Sequence, residues 1–151
     1  LLRMKVLRHY KGKLVLTKLG KSMFEDRFRR FDAAAHALLF DDPQYAEMRY
    51  GRNLVGNWNI WLNVLDVEAQ HGTTGQNITE ALYGKEDEPN EFDPRTSALY
   101  YGVIKPLMWC GMLNEHMDNG RKLVDRVYTK TPLWNRYFQL DPKKPMLRVV
   151  H

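Results

Sequence analysis

The stretch from Met112 to Thr129, MLNEHMDNGRKLVDRVYT, predicts a β-hairpin and decides the fold class. Two runs of β-forming residues, 112–117 and 123–129, lie on either side of the dipeptide Asn119-Gly120. Asn-Gly between two such runs is the strongest short-range hairpin signal, because both residues tolerate the positive φ angles of a tight turn. We therefore expect residues 113–117 to pair with residues 123–129.

Helical patterns flank this hairpin, so we expect an α+β fold in which helices dominate. The pattern before it opens at Asp93-Pro94, an N-cap acceptor followed by Pro at the first helical position. Pro106 lies inside the pattern and should kink it or split it into two pieces. Another helical piece follows the hairpin over residues 133–140.

Two further helices are predicted upstream, over residues 54–69 and 78–83, the second closed by Gly84. The segment between them, HGTTG over residues 71–75, is interpreted as a flexible turn. These helices and the hairpin should share one core. Its expected members are Leu54, Trp58, Trp61, Leu62, Leu65, Ile78, Leu82, Leu99, Val103, Leu107, Leu113, Val127 and Trp134.

The first third of the chain predicts a second hairpin followed by one long helix. Residues 4–10 and 14–17 are β-capable, and Lys11-Gly12-Lys13 between them is a turn signal. Apolar residues then recur at helical spacings over residues 23–39, and Asp41-Asp42-Pro43 should stop the helix. We expect four segments: a first unit over 1–43, a connector over 44–53, a main domain over 54–140 and a tail over 141–151.

Two stretches follow the same order, as two copies of one supersecondary unit would. They are LRHYKGKLVLTKLGKSMF, residues 7–24, and NEHMDNGRKLVDRVYTKTPLWNRYF, residues 114–138. In each stretch a polar strand comes first, followed in order by a Gly with a Lys within two residues, Leu-Val, Thr-Lys and the aromatic start of a helix. Chance similarity between two hairpins is the alternative.

The order short helix, longer helix, hairpin resembles the winged-helix family, whose third helix often ends in an apolar-Gly-apolar turn before the wing. The residues that carry the resemblance are 78–83, 95–113 and the wing 114–131, with WCGML over residues 109–113 as the turn. The resemblance implies a C-terminal winged helix preceded by a truncated first copy that begins at its wing, as though Leu1 followed its third helix. The segment KGKLVLTKLGK also resembles the tail of uncharacterised plasmid- and transposon-borne bacterial proteins.

Charge is distributed unevenly along the 151 residues, whose formal net charge is +5. Residues 1–56 hold 12 Lys and Arg against 6 Asp and Glu, whereas residues 57–151 hold 11 against 12. Clustered positive charge favours phosphate contact, because each contacted phosphate releases a condensed counterion. A solvated basic surface is the alternative. Residues 85–93, KEDEPNEFD, form the opposite extreme, an acidic loop that would repel a phosphate backbone.

Composition excludes several classes of protein. A chain that is 44% hydrophobic and 12% aromatic is too apolar to be disordered. No apolar run reaches the length of about eighteen residues that a membrane-spanning helix needs. Cys110 is the single cysteine, which rules out an internal disulfide and a cysteine-rich zinc site and fits a reducing compartment. We expect a cytoplasmic protein without a signal peptide or membrane contact.

No catalytic or metal-binding constellation is evident. The five histidines, at positions 9, 36, 71, 116 and 151, lack the helical i, i+4 spacing of a zinc protease. Cys110 lies among apolar neighbours, where a buried thiol is inert. The acidic loop lacks the alternating ligands of a calcium-binding loop. We predict no metal, no cofactor and no catalysis. The alternative is a hydrolase or transferase whose site is completed by residues that precede this chain.

Two function classes remain open. The first is a transcription-regulator-like protein that binds double-stranded DNA. The phosphate-binding residues would then be Lys11, Lys13, Lys18, Lys21, Arg27 and Arg30, assisted by Arg121 and Lys122 of the second wing. The resemblance implies that Arg95, Thr96 and Ser97 open the base-reading helix. The second class is a protein-interaction or homodimerisation module. The acidic loop before Arg95 favours this second class for the C-terminal copy, whereas the basic first third favours DNA.

Overall fold

A computed structural model of the chain describes residues 2, 4–40, 54–85, 93–117 and 122–138. The described part is α+β with helices dominating, which confirms the predicted fold class. The chain divides into two compact units, Leu1–Asp42 and Pro43–His151. The predicted helix stop at Asp41-Asp42-Pro43, the connector over 44–53 and the tail over 141–151 lie outside the described residues.

The Leu1–Asp42 unit begins with the predicted hairpin. Strands β1 (Leu7–Tyr10) and β2 (Lys13–Leu16) pair antiparallel, with Leu7 opposite Leu16 and Tyr10 opposite Lys13. The two residues between the strands both have positive φ, 47° for Lys11 and 73° for Gly12. This is the backbone that a two-residue type I′ turn requires, and its twist matches that of the strands.

Two helices follow, α1 (Lys18–Glu25) and α2 (Arg27–Leu39), so the prediction of one long helix was wrong. The break lies at Asp26, which is extended at φ −128° and ψ 112°. Its carboxylate accepts hydrogen bonds from the backbone N–H groups of Phe28 (2.8 Å) and Arg29 (3.3 Å). The side chain thus satisfies N–H groups at the start of α2, which makes Asp26 an N-cap.

The hairpin packs against α1 at Gly20. A Cβ added there would collide with the carbonyl oxygen of Val6, so only glycine allows this approach. The contact is locked by Thr17, whose N–H donates to that same Val6 carbonyl at 3.0 Å. Thr17 also caps α1, since its hydroxyl oxygen accepts from the Gly20 N–H at 3.0 Å. The buried apolar side chains in this unit are Val6, Met23, Ala35 and Leu39.

The Pro43–His151 unit combines short helices with a three-stranded antiparallel sheet. Its elements are α3 (Trp58–Glu68), β3 (Thr73–Thr74), α4 (Gly75–Tyr83), α5 (Pro94–Leu99), a π-helical turn (Tyr100–Ile104), α6 (Lys105–Trp109), β4 (Leu113–His116), β5 (Val127–Lys130) and α7 (Pro132–Tyr137). The strand order is β3-β5-β4, so the last strand in the sequence lies at the centre. Tyr128 on that central strand is fully buried.

The second hairpin pairs as predicted, over a shorter length than expected. Leu113 lies opposite Lys130 and His116 opposite Val127, which leaves residues 117–126 between the strands. The predicted strand over 123–129 is therefore formed only from Val127 onwards, and Asn119-Gly120 lies outside the described residues. Residues 124 and 126 instead serve helix α4. Their carbonyl groups accept from the N–H groups of Gln76 and Gly75, each at 3.0 Å.

The HGTTG segment is also more ordered than predicted. Thr73 and Thr74 form strand β3, which pairs with Tyr128 and Val127 of β5. Thr74 is at the same time the N-cap of α4, accepting from the Asn77 N–H at 3.1 Å. Thr73 and Thr74 together form an edge strand, and Thr74 also begins the next helix. The interpretation of HGTTG as a flexible turn was therefore wrong.

The predicted interruption by Pro106 is confirmed. Helix α5 gives way to a π-helical turn over Tyr100–Ile104 before α6 resumes with Pro106 in its first turn. Proline lacks an N–H and its ring crowds the preceding turn, which the wider π-helical turn relieves. As predicted, Asp93 caps α5, since its carboxylate accepts from the Arg95 N–H at 2.7 Å.

Most of the predicted core is buried. Leu65, Ile78, Leu99, Val103 and Leu107 are at 0% exposure, and Trp61, Leu62, Leu113 and Trp134 are also buried. Four expected members are only half-buried: Leu54, Trp58, Leu82 and Val127. The core also holds residues that the prediction missed: Ala69, Ile104, Met112, Tyr128 and the two threonines Thr79 and Thr96. Within the described part of the chain, no helix is long and apolar enough to cross a membrane.

Candidate nucleic-acid interface

The tip of the first hairpin presents two ammonium groups to solvent. Lys11 occupies the turn itself and Lys13 begins β2, and both are exposed. Because the turn is a two-residue loop, Lys11 and Lys13 are held close together at the end of a short, narrow ribbon. A hairpin tip with this shape and charge can approach a phosphate backbone with little steric hindrance from the rest of the hairpin.

The two faces of this hairpin differ in chemistry. The strand register places Arg8, Tyr10, Lys13 and Val15 on one face, because paired residues and alternate residues share a side. The guanidinium of Arg8 lies 5.5 Å from the Tyr10 ring centroid and the Lys11 ammonium lies 5.6 Å from it. The sequence prediction missed Arg8 and Tyr10, although their alternation in LRHY is the signal that could have identified them.

Four more predicted cations follow on the two helices of the same unit. Lys18 and Lys21 lie on α1, and Arg27 and Arg30 lie on α2, all exposed. Together with Lys11 and Lys13 they form what we call the basic set. Among the described residues, no member of this set forms a salt bridge, whereas neighbouring Arg29 lies 3.7 Å from Asp26.

The predicted residues at the start of α5 are mostly engaged elsewhere. Arg95 forms a salt bridge of 3.0 Å with Asp93, and its side chain is only 24% exposed. Thr96 is 2% exposed and its hydroxyl lies 2.9 Å from that of Thr79, so it cannot face a nucleic acid. Ser97 is half-buried. Of the two wing residues, Lys122 is exposed and Arg121 lies outside the described residues.

The salt bridge between Arg95 and Asp93 also affects the pKa of the Asp93 carboxyl group. Burial alone would raise its pKa. Hydrogen bonds from the side chain and backbone of Arg95, with the Arg95 charge, outweigh burial and lower the pKa from its ordinary value of 3.8. Arg95 therefore favours the ionised form of the Asp93 cap, which stabilises the first turn of α5. Because its guanidinium group is paired with Asp93, Arg95 is poorly placed to bind a phosphate.

An aromatic stripe that we did not predict runs along the helix after this cap. The Lys105 ammonium lies 5.0 Å from the Tyr101 ring centroid and 5.4 Å from the Trp109 ring centroid. The three residues are four apart, so they line one side of the helical segment. Trp109 is 57% exposed, which is unusual for so large an apolar side chain. The spacing of Tyr101, Lys105 and Trp109 was the available signal.

A polar cluster under the sheet is structural. One Arg126 nitrogen donates to Glu115 at 3.0 Å and to the Tyr100 hydroxyl at 3.3 Å, and the Tyr128 hydroxyl donates to the same Glu115 oxygen at 3.3 Å. Burial, together with the Glu115 charge, raises the pKa of both tyrosines, so both remain neutral phenols near pH 7. The cluster joins β4 and β5 to the π-helical turn.

Groups with metal-binding or nucleophilic chemistry are dispersed. Among the described residues, no group of three or more His, Cys, Asp or Glu side chains could hold a metal ion. His36 is exposed and contacts Phe40 in an edge-to-face arrangement with ring centroids 5.3 Å apart. Cys110 is buried as predicted, and burial raises its pKa, which keeps the thiol in its protonated, unreactive form.

Comparison with known protein families shows where part of the chain belongs. Residues 48–132 match the family model described as the y4jL C-terminal domain. No curated protein matches the chain, and no solved structure matches it. The matched residues fall within the Pro43–His151 unit, whereas the basic set lies outside them.

Proposed function

The chain belongs to the y4jL C-terminal domain family through residues 48–132, and we propose that the basic unit in front of that domain binds double-stranded DNA. The observation that carries this proposal is the hairpin tip, where Lys11 and Lys13 are exposed at a two-residue turn. Protein cations held at such a tip can contact phosphates without reading bases, so the binding is generic in sequence.

The charge of the unit supports the same proposal. Its described residues carry nine Lys and Arg, all exposed, against three acids, Glu25, Asp26 and Asp32. Among the described residues of this unit, none of the six cations of the basic set forms a salt bridge. Neutralising phosphates releases condensed counterions, and this release is the main source of generic affinity for DNA.

We also propose that the Pro43–His151 unit has a winged-helix arrangement. The support is its element order of helix, strand, two helical segments and hairpin, with the strand order β3-β5-β4. In such an arrangement the segment 94–109 would be the base-reading helix. Because Thr96 is buried and Arg95 is clamped by Asp93, we assign the DNA contact to the basic set rather than to this helix.

We propose that the protein acts in the cytoplasm, by binding and without catalysis. Support for the cytoplasm comes from Cys110, a single buried thiol suited to a reducing compartment. Support for a non-catalytic role comes from the dispersed histidines and carboxylates described above.

Titration of the full chain into labelled duplex DNA of arbitrary sequence tests the proposal. We expect binding at about 50 mM salt and a loss of roughly a thousandfold in affinity at about 200 mM if the six residues of the basic set each contact a phosphate. Two duplexes of unrelated sequence should bind equally well. Absence of binding at the lower salt concentration, or an affinity that does not change with salt, would contradict the proposal.

A second candidate function is protein contact or homodimerisation through the family domain. The observation that favours it is the stripe of Tyr101, Lys105 and Trp109, in which Trp109 is exposed and the other two are half-buried. Exposed tryptophans and tyrosines are enriched in protein interfaces. Light scattering of the full chain, with Trp109→Ala as the variant, tests it. Concentration-dependent dimers that the variant loses would support this function, and a monomer at every concentration would exclude homodimerisation.

A further inference from the structure

In the hairpin unit, the exposed Phe28 has Arg27 at 5.0 Å from its ring centroid, whereas two cations, Arg8 and Lys11, lie beside the ring of Tyr10. Tyr10 is 52% exposed, at the last position of β1, beside the turn. Arg8 and Lys11 both lie within cation–π distance of the ring, at 5.5 Å and 5.6 Å. Lys13 is paired directly opposite, on the same face of the hairpin.

The opposite face of the hairpin cannot present a similar surface. It carries Leu7, His9, Leu14 and Leu16, as the strand register requires. Leu16 lies against Gly20 of helix α1, whereas His9 and Leu14 are exposed. Tyr10 therefore shares its face with Arg8 and Lys13, whereas the other face of the hairpin carries no Lys or Arg.

We propose that the Tyr10 face of the hairpin stacks on an unpaired base, so that the substrate is duplex DNA bearing a single-stranded segment. The proposal rests on the proposed function and narrows its substrate class. A base inside a duplex has both faces covered by its neighbours, whereas an unpaired base can stack on an exposed aromatic ring. Arg8, Lys11 and Lys13 are placed to meet the phosphates that flank the stacked base.

Fluorescence anisotropy of the full chain at low salt tests the inference with two probes. One is a blunt duplex, and the other is the same duplex with a single-stranded thymine overhang. Base–aromatic stacking predicts that the overhang improves affinity by about five- to 100-fold. Tyr10→Leu should abolish this preference by lowering affinity for the overhang probe more than for the blunt duplex, whereas Tyr10→Phe should keep it, because the ring remains.

A position-swapped variant provides the matched control. Tyr10→Leu combined with Leu14→Tyr has the composition of the wild type but carries the ring on the opposite face of the hairpin. It should lack the preference for the overhang, as Tyr10→Leu does. Rescue by this double variant would overturn the inference, because any tyrosine on the hairpin would then suffice.

The remaining outcomes separate the inference from the proposed function. Equal affinity of the wild type for both probes, or an equal loss on both probes in Tyr10→Leu, would overturn the inference while leaving duplex binding intact. Failure of the wild type to bind either probe would overturn duplex binding itself, and the inference with it.

Discussion

Asp66 and Lys130 join two distant parts of the Pro43–His151 unit through a salt bridge of 2.8 Å between Asp66 Oδ1 and Lys130 Nζ. The same carboxylate oxygen accepts from the indole N–H of Trp134 at 2.8 Å. One side chain near the end of α3 thus holds both the central strand β5 and helix α7. Lys130 is only 14% exposed, so Asp66 is the counter-charge of a mostly buried ammonium group.

Asp66→Ala should therefore destabilise the unit. Removing Asp66 leaves the mostly buried ammonium group of Lys130 without its counter-charge. We expect the free energy of unfolding to fall by about 2 kcal/mol. This loss is smaller than for a fully buried pair, because Asp66 is 37% exposed. Asp66→Asn keeps an acceptor for Trp134 and should lose less. Urea unfolding followed by tryptophan fluorescence measures this, since all four tryptophans lie in this unit.

The control for this prediction is Asp125→Ala. Asp125 is half-buried and forms no salt bridge among the described residues. Its removal should change the free energy of unfolding by no more than about 0.5 kcal/mol. An Asp66→Ala variant as stable as Asp125→Ala would show that the link to Lys130 contributes nothing.

The buried pair Thr79 and Thr96 should show coupled energetics. The Thr79 hydroxyl donates to the Gly75 carbonyl at 2.8 Å, which leaves its oxygen to accept from Thr96 at 2.9 Å. Thr79→Val leaves the Thr96 hydroxyl unsatisfied and should cost about 1–3 kcal/mol. The double Val variant should lose less than the two single variants together. Strict additivity in this double-mutant cycle would mean that the hydroxyls do not interact.

Gly20→Ala should destabilise the hairpin unit, contrary to helix propensity. Alanine in a helix is ordinarily better than glycine by about 1 kcal/mol. Here the added Cβ would collide with the Val6 carbonyl, so we expect a loss of about 1–3 kcal/mol as the hairpin is pushed away. Faster amide hydrogen exchange over residues 4–25 would report this loss. Slower exchange would mean that the hairpin does not pack closely on α1.

The cap at Asp93 predicts a defined dependence of stability on pH. Because the pKa of Asp93 is lower in the folded chain than its ordinary value of 3.8, the ionised cap stabilises the fold at pH values above this value. That contribution should decrease as the pH falls through the folded pKa. Asp93→Asn keeps the cap acceptor without the charge. The stability difference between wild type and variant should therefore be present near neutral pH and disappear in acid, and a constant difference would contradict the account.

Local signals predicted the elements that local contacts hold in place. The turn at Lys11-Gly12 and the cap at Asp93-Pro94 both follow from residues within a few positions. Asp26 shows the limit of this reasoning, because apolar spacing continues through it while its carboxylate starts a new helix. A periodic pattern alone does not record whether a side chain will compete for the backbone N–H groups.

Long-range contacts account for the other differences. Residues 123–126 have the pattern of a strand, yet the backbone carbonyls of Val124 and Arg126 bind the start of α4, far away in the sequence. The candidate site shows the same limit. The position of Thr96 at a helix start predicts an accessible residue, but it is 2% exposed and its hydroxyl lies 2.9 Å from that of Thr79 on another helix. The exposure of the basic set was predictable because a charged side chain on the surface needs no partner.

The salt dependence of duplex binding in a variant of the basic set tests the central claim most directly. Lys11→Asn, Lys13→Gln and Lys21→Gln together remove three cations, and Asn tolerates the positive φ at position 11. The account predicts that the slope of log affinity against log salt falls by about three. The control variant, Lys85→Gln with Arg136→Gln, removes exposed charge from the other unit and should leave the slope unchanged. An unchanged slope in the triple variant would contradict DNA binding by the basic unit.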